Sequence, residues 1–382
     1  MKYSFKKDND WILIITIFIL TVFGLLMVFS ASYVRSYALF DGDPYHFIKR
    51  QFAWFALATI AFFIVMHFQY RFLQKLSPLF ILISILLLIL IKVPGFGEEI
   101  NGAERWLSLG PFTIQPSELV KIAVIIYLAQ VYTSKQAYIN QFVRGVLPPL
   151  VLVGVIFSLI MLQPDLGTAT SIMMVAMLLA FFSGARFIHL AGLVVVGGGV
   201  VTAYAFSETY RLRRLISYTD PFADMGGQGL QLTQSYIAFA HGGVSGTGLG
   251  QSVQKLLYLP EAHTDFILAI IGEELGIFGI IFVFTCYILI IFRGVTIGSR
   301  CKSPFGSLLA FGITFQLAIQ IVFNVGAVTG LLPITGITLP LLSNGGSSLL
   351  VTLVSLAILA NIARNNIRQQ RMKEEPNEQV PA

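Results

Sequence analysis

The sequence predicts an all-α fold: a polytopic integral membrane protein of about ten transmembrane helices, a single membrane domain over residues 1–382. Three observations carry this expectation. The chain is 56% hydrophobic and only 12% charged, with a mean hydropathy of +0.79, whereas a soluble domain carries about a quarter charged residues. Its apolar residues fall in long runs separated by short polar links, as helices crossing a hydrocarbon core require. The 32 Phe and 34 Gly suit packed transmembrane helices, where small residues permit close approach. Cys286 and Cys301 offer neither a disulfide framework nor metal-ligand spacing. The net charge of +6, spread over short loops, argues topology rather than nucleic-acid binding.

Taken in order, the run from Trp11 to about Ser32 is too long for a signal-peptide core and lacks a cleavage site, so it reads as a retained first span. Further runs follow at 52–68, 78–93, 112–132, 146–162, 167–184, 187–206, 265–292, 305–328 and 347–364. An even number of spans puts both termini on one side. With the termini in the cytoplasm, 15 of the 25 basic residues fall inside and nine outside, Lys121 lying within a span. The positive-inside rule therefore makes the termini and a tail at about 365–382 cytoplasmic, and one long loop at about 207–264 extracytoplasmic.

The outer links hold the unusual chemistry. Residues 94–111 form an outer loop that sets Arg105 and Trp106 at the water interface, where a Trp is commonly an anchor. The next span opens with Gln115, Pro116, Ser117 and Glu118, then Lys121. Glu118 and Lys121 share a helix face and form either a structural ion pair or a polar wall of a cavity. Asp165, after Gln163 and Pro164, is placed to cap the sixth span. Gly197, Gly198 and Gly199 suggest a close helix crossing. In the long loop, Arg211, Arg213 and Arg214 break the positive-inside bias, for either an anionic ligand such as a phosphate or headgroup anchoring. Leu230 to Phe239 reads as a helix at the bilayer surface. The glycine-rich stretch from Gly242 to Gly250 has backbone N–H groups that could wrap an anion.

The chain is organised around Lys255 to Gly276. Glu261, His263 and Asp265 crowd the mouth of a membrane run, with Glu273 and Glu274 two helical turns further on. Ionisable groups inside a bilayer are expensive and face a cavity or a partner. A helix cap would explain one of these acids, not the whole cluster. Gln316, Gln320 and Asn324 recur every fourth residue as one polar stripe, suited to helix–helix hydrogen bonds. Residues 329–348, rich in Pro and Gly, form an irregular outer segment that membrane depth tolerates only when it is buried or lines a cavity.

The motifs "YLPEAHTDFI…IIGEELG", "QPSELVK", "LQPDLGT", "YRLRR…DP…GLQLTQS…GLG" and "TGITLPLLSNGGSS" together resemble the SEDS (shape, elongation, division and sporulation) family, through nearly all spans in order. Ala262, Thr338 and "SVQKLLYLPE" are most similar to its FtsW/SpoVE branch, while Asn344 stands where the family commonly has Tyr. The resemblance implies a peptidoglycan glycosyltransferase in the bacterial cytoplasmic membrane. Its substrate would be lipid II, a disaccharide-pentapeptide on undecaprenyl pyrophosphate. Its partners would be a class B penicillin-binding protein transpeptidase, other divisome proteins and membrane lipids, with no nucleic acid.

The family's essential acid corresponds to Asp265, with Glu261 and Glu118 as further catalytic candidates. The expected substrate-binding set is Trp106, Arg105, Lys121, Asp165, Arg211, Arg213, Arg214, Lys255, His263, Ser347 and Ser348. Asp265 is the candidate base for the acceptor sugar hydroxyl, its pKa raised by burial beside Glu261. The pyrophosphate needs positive charge, from the arginine cluster, Lys255 or a divalent cation (Mg or Mn) held by acids, and no organic cofactor is expected. Two competing classes are a lipid II flippase and a non-catalytic division scaffold. The clustering of polar residues on the outer side disfavours the first, and the acid-His-acid cluster the second.

Overall fold

The structure is a computed structural model that describes residues 9–100, 103–110, 112–206, 220–227 and 229–374. Helices stand at all ten expected spans. They are α1 (Trp11–Leu39), α2 (His46–His67), α3 (Arg71–Leu90), α4 (Pro116–Ser134), α5 (Leu147–Met161), α6 (Leu166–Phe182), α7 (Phe187–Phe206), α9 (Ile267–Arg300), α10 (Pro304–Val328) and α11 (Gly346–Glu374). Among the described residues, seven spans are long and apolar enough to cross a membrane by length and composition. Helix α6, with 17 residues, falls short of that length. The chain is an all-α polytopic membrane protein.

Two features depart from the expected plan. The outer loop expected at 94–111, together with the start of the span expected at 112–132, contains a three-stranded antiparallel meander, β1 (Gly97–Ile100), β2 (Ala103–Leu109) and β3 (Phe112–Ile114), with Glu98 opposite Trp106 and Leu107 opposite Ile114. Arg105, Leu107 and Leu109 alternate with Glu104, Trp106 and Ser108, a period of two that marks a strand. The triple glycine of α7 is not a helix crossing, because a methyl group at Gly197, Gly198 or Gly199 would meet nothing within 4 Å. Helix α7 packs on the bundle through its start against α6 and leaves this face open.

Helices α10 and α11 stand at the centre, and α2 and α3 at the rim, where Ile60, Ile64, Leu82 and Leu86 point outward. Consecutive α2 and α3 diverge, since α2 packs on α11 and α3 on α4. Asn361 fixes their junction: its Nδ2 donates to Met66 O at 2.6 Å and Phe68 O at 2.7 Å, and its Oδ1 accepts from Tyr70 N. Asp10 caps α1 by accepting from Leu13 N at 3.3 Å and binds Arg293 of α9. The irregular segment after α10 lies deep, with Leu341 and Leu342 against Gly24 near the middle of α1.

The helix expected at the bilayer surface is α8 (Leu230–Gly242), docked on α9 and on the end of α10, where Ser235 Oγ donates to Val328 O at 2.8 Å. Helix α9 is broken at Gly276 (φ 60°, ψ −154°). A methyl on Gly279 would lie 3.2 Å from the Ile271 side chain, although eight residues of straight helix span about 12 Å. The chain therefore turns a sharp corner there. The freed carbonyls of Glu273 and Glu274 accept from Thr247 N and Gly248 N, both at 2.9 Å, while Ile277 N donates to Val244 O at 3.2 Å. The glycine-rich stretch thus spends these N–H groups on the break in α9 rather than on an anion.

Only glycine adopts the Gly276 conformation without strain, and an added methyl would sit 2.4 Å from Val244 O. Gly276→Ala is expected to lower stability by about 2–4 kcal/mol, measured by thermal unfolding in detergent. Gly154→Ala, whose methyl meets nothing within 4 Å on α5, should leave stability unchanged or raise it by up to about 1 kcal/mol.

Candidate active site

Helix α9 begins at Ile267, not at Asp265, so Asp265 stands in the turn before it. That turn is laced onto the far end of the chain. Asn344 N donates to His263 O at 2.9 Å, Ser343 Oγ to Thr264 O at 2.6 Å, and Asn324 Nδ2 to Asp265 O at 2.7 Å. Gly336 (φ +70°) faces the carboxylate: a methyl there would touch Asp265 Oδ2 at 3.5 Å, an ordinary van der Waals contact.

The three ionisable groups of the cluster are driven in different directions. Burial pushes the Asp265 carboxyl up to about 7, helped by the nearby negative charges of Glu261 and Asp165 and opposed by Arg105. Burial would raise Glu261 as well. There, however, the Thr264 hydroxyl donating at 2.7 Å and the Arg35 guanidinium at 3.0 Å outweigh it, and the carboxyl is held below its usual range. Burial takes His263 down to about 4 against the attraction of Glu261, leaving a neutral imidazole at pH 7, packed against Phe47. Of the two acids, Asp265 is the one tuned to exchange a proton near neutrality.

A second wall comes from the meander and the link between α5 and α6. Arg105 Nε donates to Gln163 O at 2.8 Å and its Nη2 to Pro164 O, while its charge reaches Asp265. Asp165 caps α6 through Thr168 N at 3.1 Å, and its other oxygen faces Gln115 Nε2 at 3.5 Å. Ser347 Oγ accepts from Gln115 N and donates to Thr113 O, both at 3.2 Å, and Ser348 Oγ lies 3.1 Å from Thr338 Oγ1. Trp106 is half-buried on β2. Asp265, Glu261, His263, Arg105, Asp165, Ser347 and Ser348 thus stand on segments that hydrogen bonds and electrostatics bring together.

Other expected residues lie elsewhere. Glu118 and Lys121 form a buried ion pair at 2.7 Å inside the bundle, beside a cavity of about 20 Å³ lined also by Gln316, Gln320, Thr352 and Ser355. Lys255 is buried against Glu274 at 2.7 Å and Ser30 at 3.0 Å. Glu273 accepts from Val253 N, Gln254 N and Ser252 Oγ and meets His241 Nδ1 at 2.9 Å. Arg211, Arg213 and Arg214 fall outside the described residues. Among the described residues, no three His, Cys, Asp or Glu side chains gather for a metal ion. Sequence reasoning missed Arg35, the partner of Glu261, which it counts only as one of the nine basic residues expected outside. It also missed Asn324 as a contact of Asp265.

A family model described as cell cycle protein, for FtsW, RodA and SpoVE, matches residues 10–368. The chain is 42% identical over 359 residues to stage V sporulation protein E of Bacillus subtilis, covering 94% of this chain and 98% of that one. It is 43% identical over 385 residues to the probable peptidoglycan glycosyltransferase FtsW of the same organism, covering 97% and 94%. Among solved structures it is similar to a chain of a peptidoglycan synthase complex that coordinates polymerization and crosslinking, with TM-score 0.78, 28% identity and coverage of 94% and 98%.

The raised Asp265 has a consequence for stability. Its carboxyl ionises at about 7 in the folded chain and near 3.9 when unfolded. Below pH 4 both states are protonated and nothing is lost. As pH rises from about 4 to 7 the unfolded state gains more from ionisation, so folded stability falls. Asp265→Asn is expected to be more stable than the native chain by about 4 kcal/mol at pH 8 and nearly equal to it at pH 4, measured by thermal unfolding at the two pH values.

Proposed function

The chain belongs to the FtsW/RodA/SpoVE family of cell cycle proteins, and on that premise we infer that it is a peptidoglycan glycosyltransferase that builds glycan strands during cell division or sporulation. The donor and acceptor are lipid II. The tail of this amphiphile stays in the bilayer while its sugars react at the outer face, and the divergence of α2 from α3 gives the tail a lipid-facing side. Asp265 accepts the proton of the acceptor sugar hydroxyl as that oxygen attacks the donor sugar and the bond to the pyrophosphate breaks. A carboxyl that ionises at about 7 is a stronger base than an ordinary carboxylate and still ionised in half the molecules at neutral pH.

Arg105, its Nε and Nη2 fixed on the Gln163 and Pro164 carbonyls, neutralises charge developing on the pyrophosphate, together with Arg211, Arg213 and Arg214. Ser347, Ser348, Asp165 and Trp106 border the sugars. Glu261, held ionised by Arg35 and Thr264, keeps a negative charge beside Asp265 and so keeps it basic. Glu118 with Lys121, and Lys255 with Glu274, act as internal ion pairs that hold the helices. The observation that carries the reading is one proton-exchanging carboxylate at the junction of the loop, the meander and the 336–348 segment. A class B penicillin-binding protein and other divisome proteins are its partners, supported by the likeness to a complex that couples polymerization with crosslinking.

Asp265→Asn keeps size but removes the basic oxygen. It is expected to slow polymerisation of lipid II by purified protein by roughly 10²–10⁴-fold, while the variant still inserts in the membrane. Near-normal rates would remove Asp265 from the role of base. For orientation, a cysteine at Ser245, exposed on the long loop, should react with an impermeant reagent in intact cells. Labelling only after the membrane is broken would reverse the topology.

A further inference from the structure

We propose that Asn324 is a positioning residue for the reaction: with one side-chain amide it grips the backbone on both sides of the Asp265 carboxylate and sets where that group stands. The inference rests on the reading of Asp265 as the base.

Asn324 is 1% exposed on α10, and its Nδ2 donates to Asp265 O at 2.7 Å and to Ile337 O at 2.8 Å. Both carbonyls need such a partner. Helix α9 opens with a tight turn in which Ala269 N bonds to Phe266 O at 3.0 Å, so Asp265 O is passed over. Ile337 is buried in the irregular stretch between α10 and α11, where no ladder supplies a donor. Buried backbone carbonyls are almost always paired. A primary amide presents two N–H groups from one atom on a short stem, whereas a hydroxyl could serve only one carbonyl and a carboxylate neither.

The two gripped residues frame the reacting group. Ile337 directly follows Gly336, the glycine that faces Asp265 Oδ2. Ser343 fastens the same two segments from the next residue, accepting from Leu339 N at 2.8 Å and donating to Thr264 O, but Asn324 alone among the two binds Asp265. The polar stripe of α10 is therefore divided. Gln316 and Gln320 border the inner cavity by Glu118, and Asn324, expected to bond to another helix, bonds instead to irregular backbone at the site. Its Oδ1 is buried with no protein partner among the described residues.

The test uses full-length protein in lipid nanodiscs with lipid II, comparing the native chain with Asn324→Ala, Asn324→Asp and Asn324→Ser. A misplaced carboxylate should lower kcat by roughly 10- to 100-fold in Asn324→Ala and further in Asn324→Asp, with KM within about threefold and Asn324→Ser intermediate, because it keeps one donor. A second readout needs no turnover: the pH dependence of Asp265 modification by a carbodiimide, which reacts with the protonated carboxyl, followed by mass spectrometry. Its midpoint should fall by at least about half a unit in Asn324→Ala as water reaches the loosened carboxylate.

An unchanged kcat with an unchanged midpoint would overturn the proposal. So would a loss of activity matched by a loss of folded protein while the midpoint holds. Should Asn324→Ala not accumulate, Asn324→Ser decides by the same two readouts. The base assignment fails separately, if Asp265→Asn polymerises normally while Asn324→Ala still moves the midpoint.

Discussion

Inside a bilayer a backbone N–H or C=O with no partner costs several kcal/mol, and this fold depends on meeting that constraint at two places where helix is absent. One is the break at Gly276, where the glycine-rich loop supplies Thr247 N and Gly248 N to the carbonyls of Glu273 and Glu274. The other is the irregular segment between α10 and α11, which lies against the middle of α1. There Gln51 bonds to Ser343 O and Gly345 N, and Tyr287 Oη to Pro340 O. Irregular backbone at this depth is what lets side chains from distant segments meet around Asp265. A continuous helix would have presented only one face.

The same economy governs charge. Glu118 with Lys121, Glu274 with Lys255 and Asp10 with Arg293 are matched within hydrogen-bond distance, and breaking such a buried pair costs about 3–5 kcal/mol. Glu261 has Arg35 and Thr264. Asp265 is treated differently: Arg105 is near enough to act on it electrostatically, yet burial and two neighbouring negative charges prevail. Leaving one acid without a matching cation sacrifices stability at neutral pH and yields a carboxylate suited to proton transfer. Helix α8 and the Glu273 hydrogen bonds tie the preceding loop to α9, so the chain reaching Asp265 is anchored before it arrives.

The sequence by itself determined the membrane class, the ten helical spans and the segment bearing Glu261, His263 and Asp265, because hydropathy and the cost of buried charge are local properties of a chain. The meander reads as loop and span, because the apolar runs around it mask the period-two alternation about Arg105. The Glu118–Lys121 pair was legible from helical spacing alone, but whether it faced a cavity or a neighbour was not.

Only the tertiary structure decided partnership. Glu261 meets Arg35 across 226 positions, Glu274 meets Ser30 across 244, and Asp265 meets Asn324 across 59; no periodicity encodes such distances. Lys255, expected to offer its charge to the pyrophosphate, is instead buried against Glu274 at the corner of α9. Asn324 looked like one member of a helix-packing stripe, and its role emerged only where α10 runs past backbone that has lost its helix. Local physics fixes what each segment is, whereas the pairing of buried polar groups depends on which segments the folded bundle brings within about 3 Å of one another.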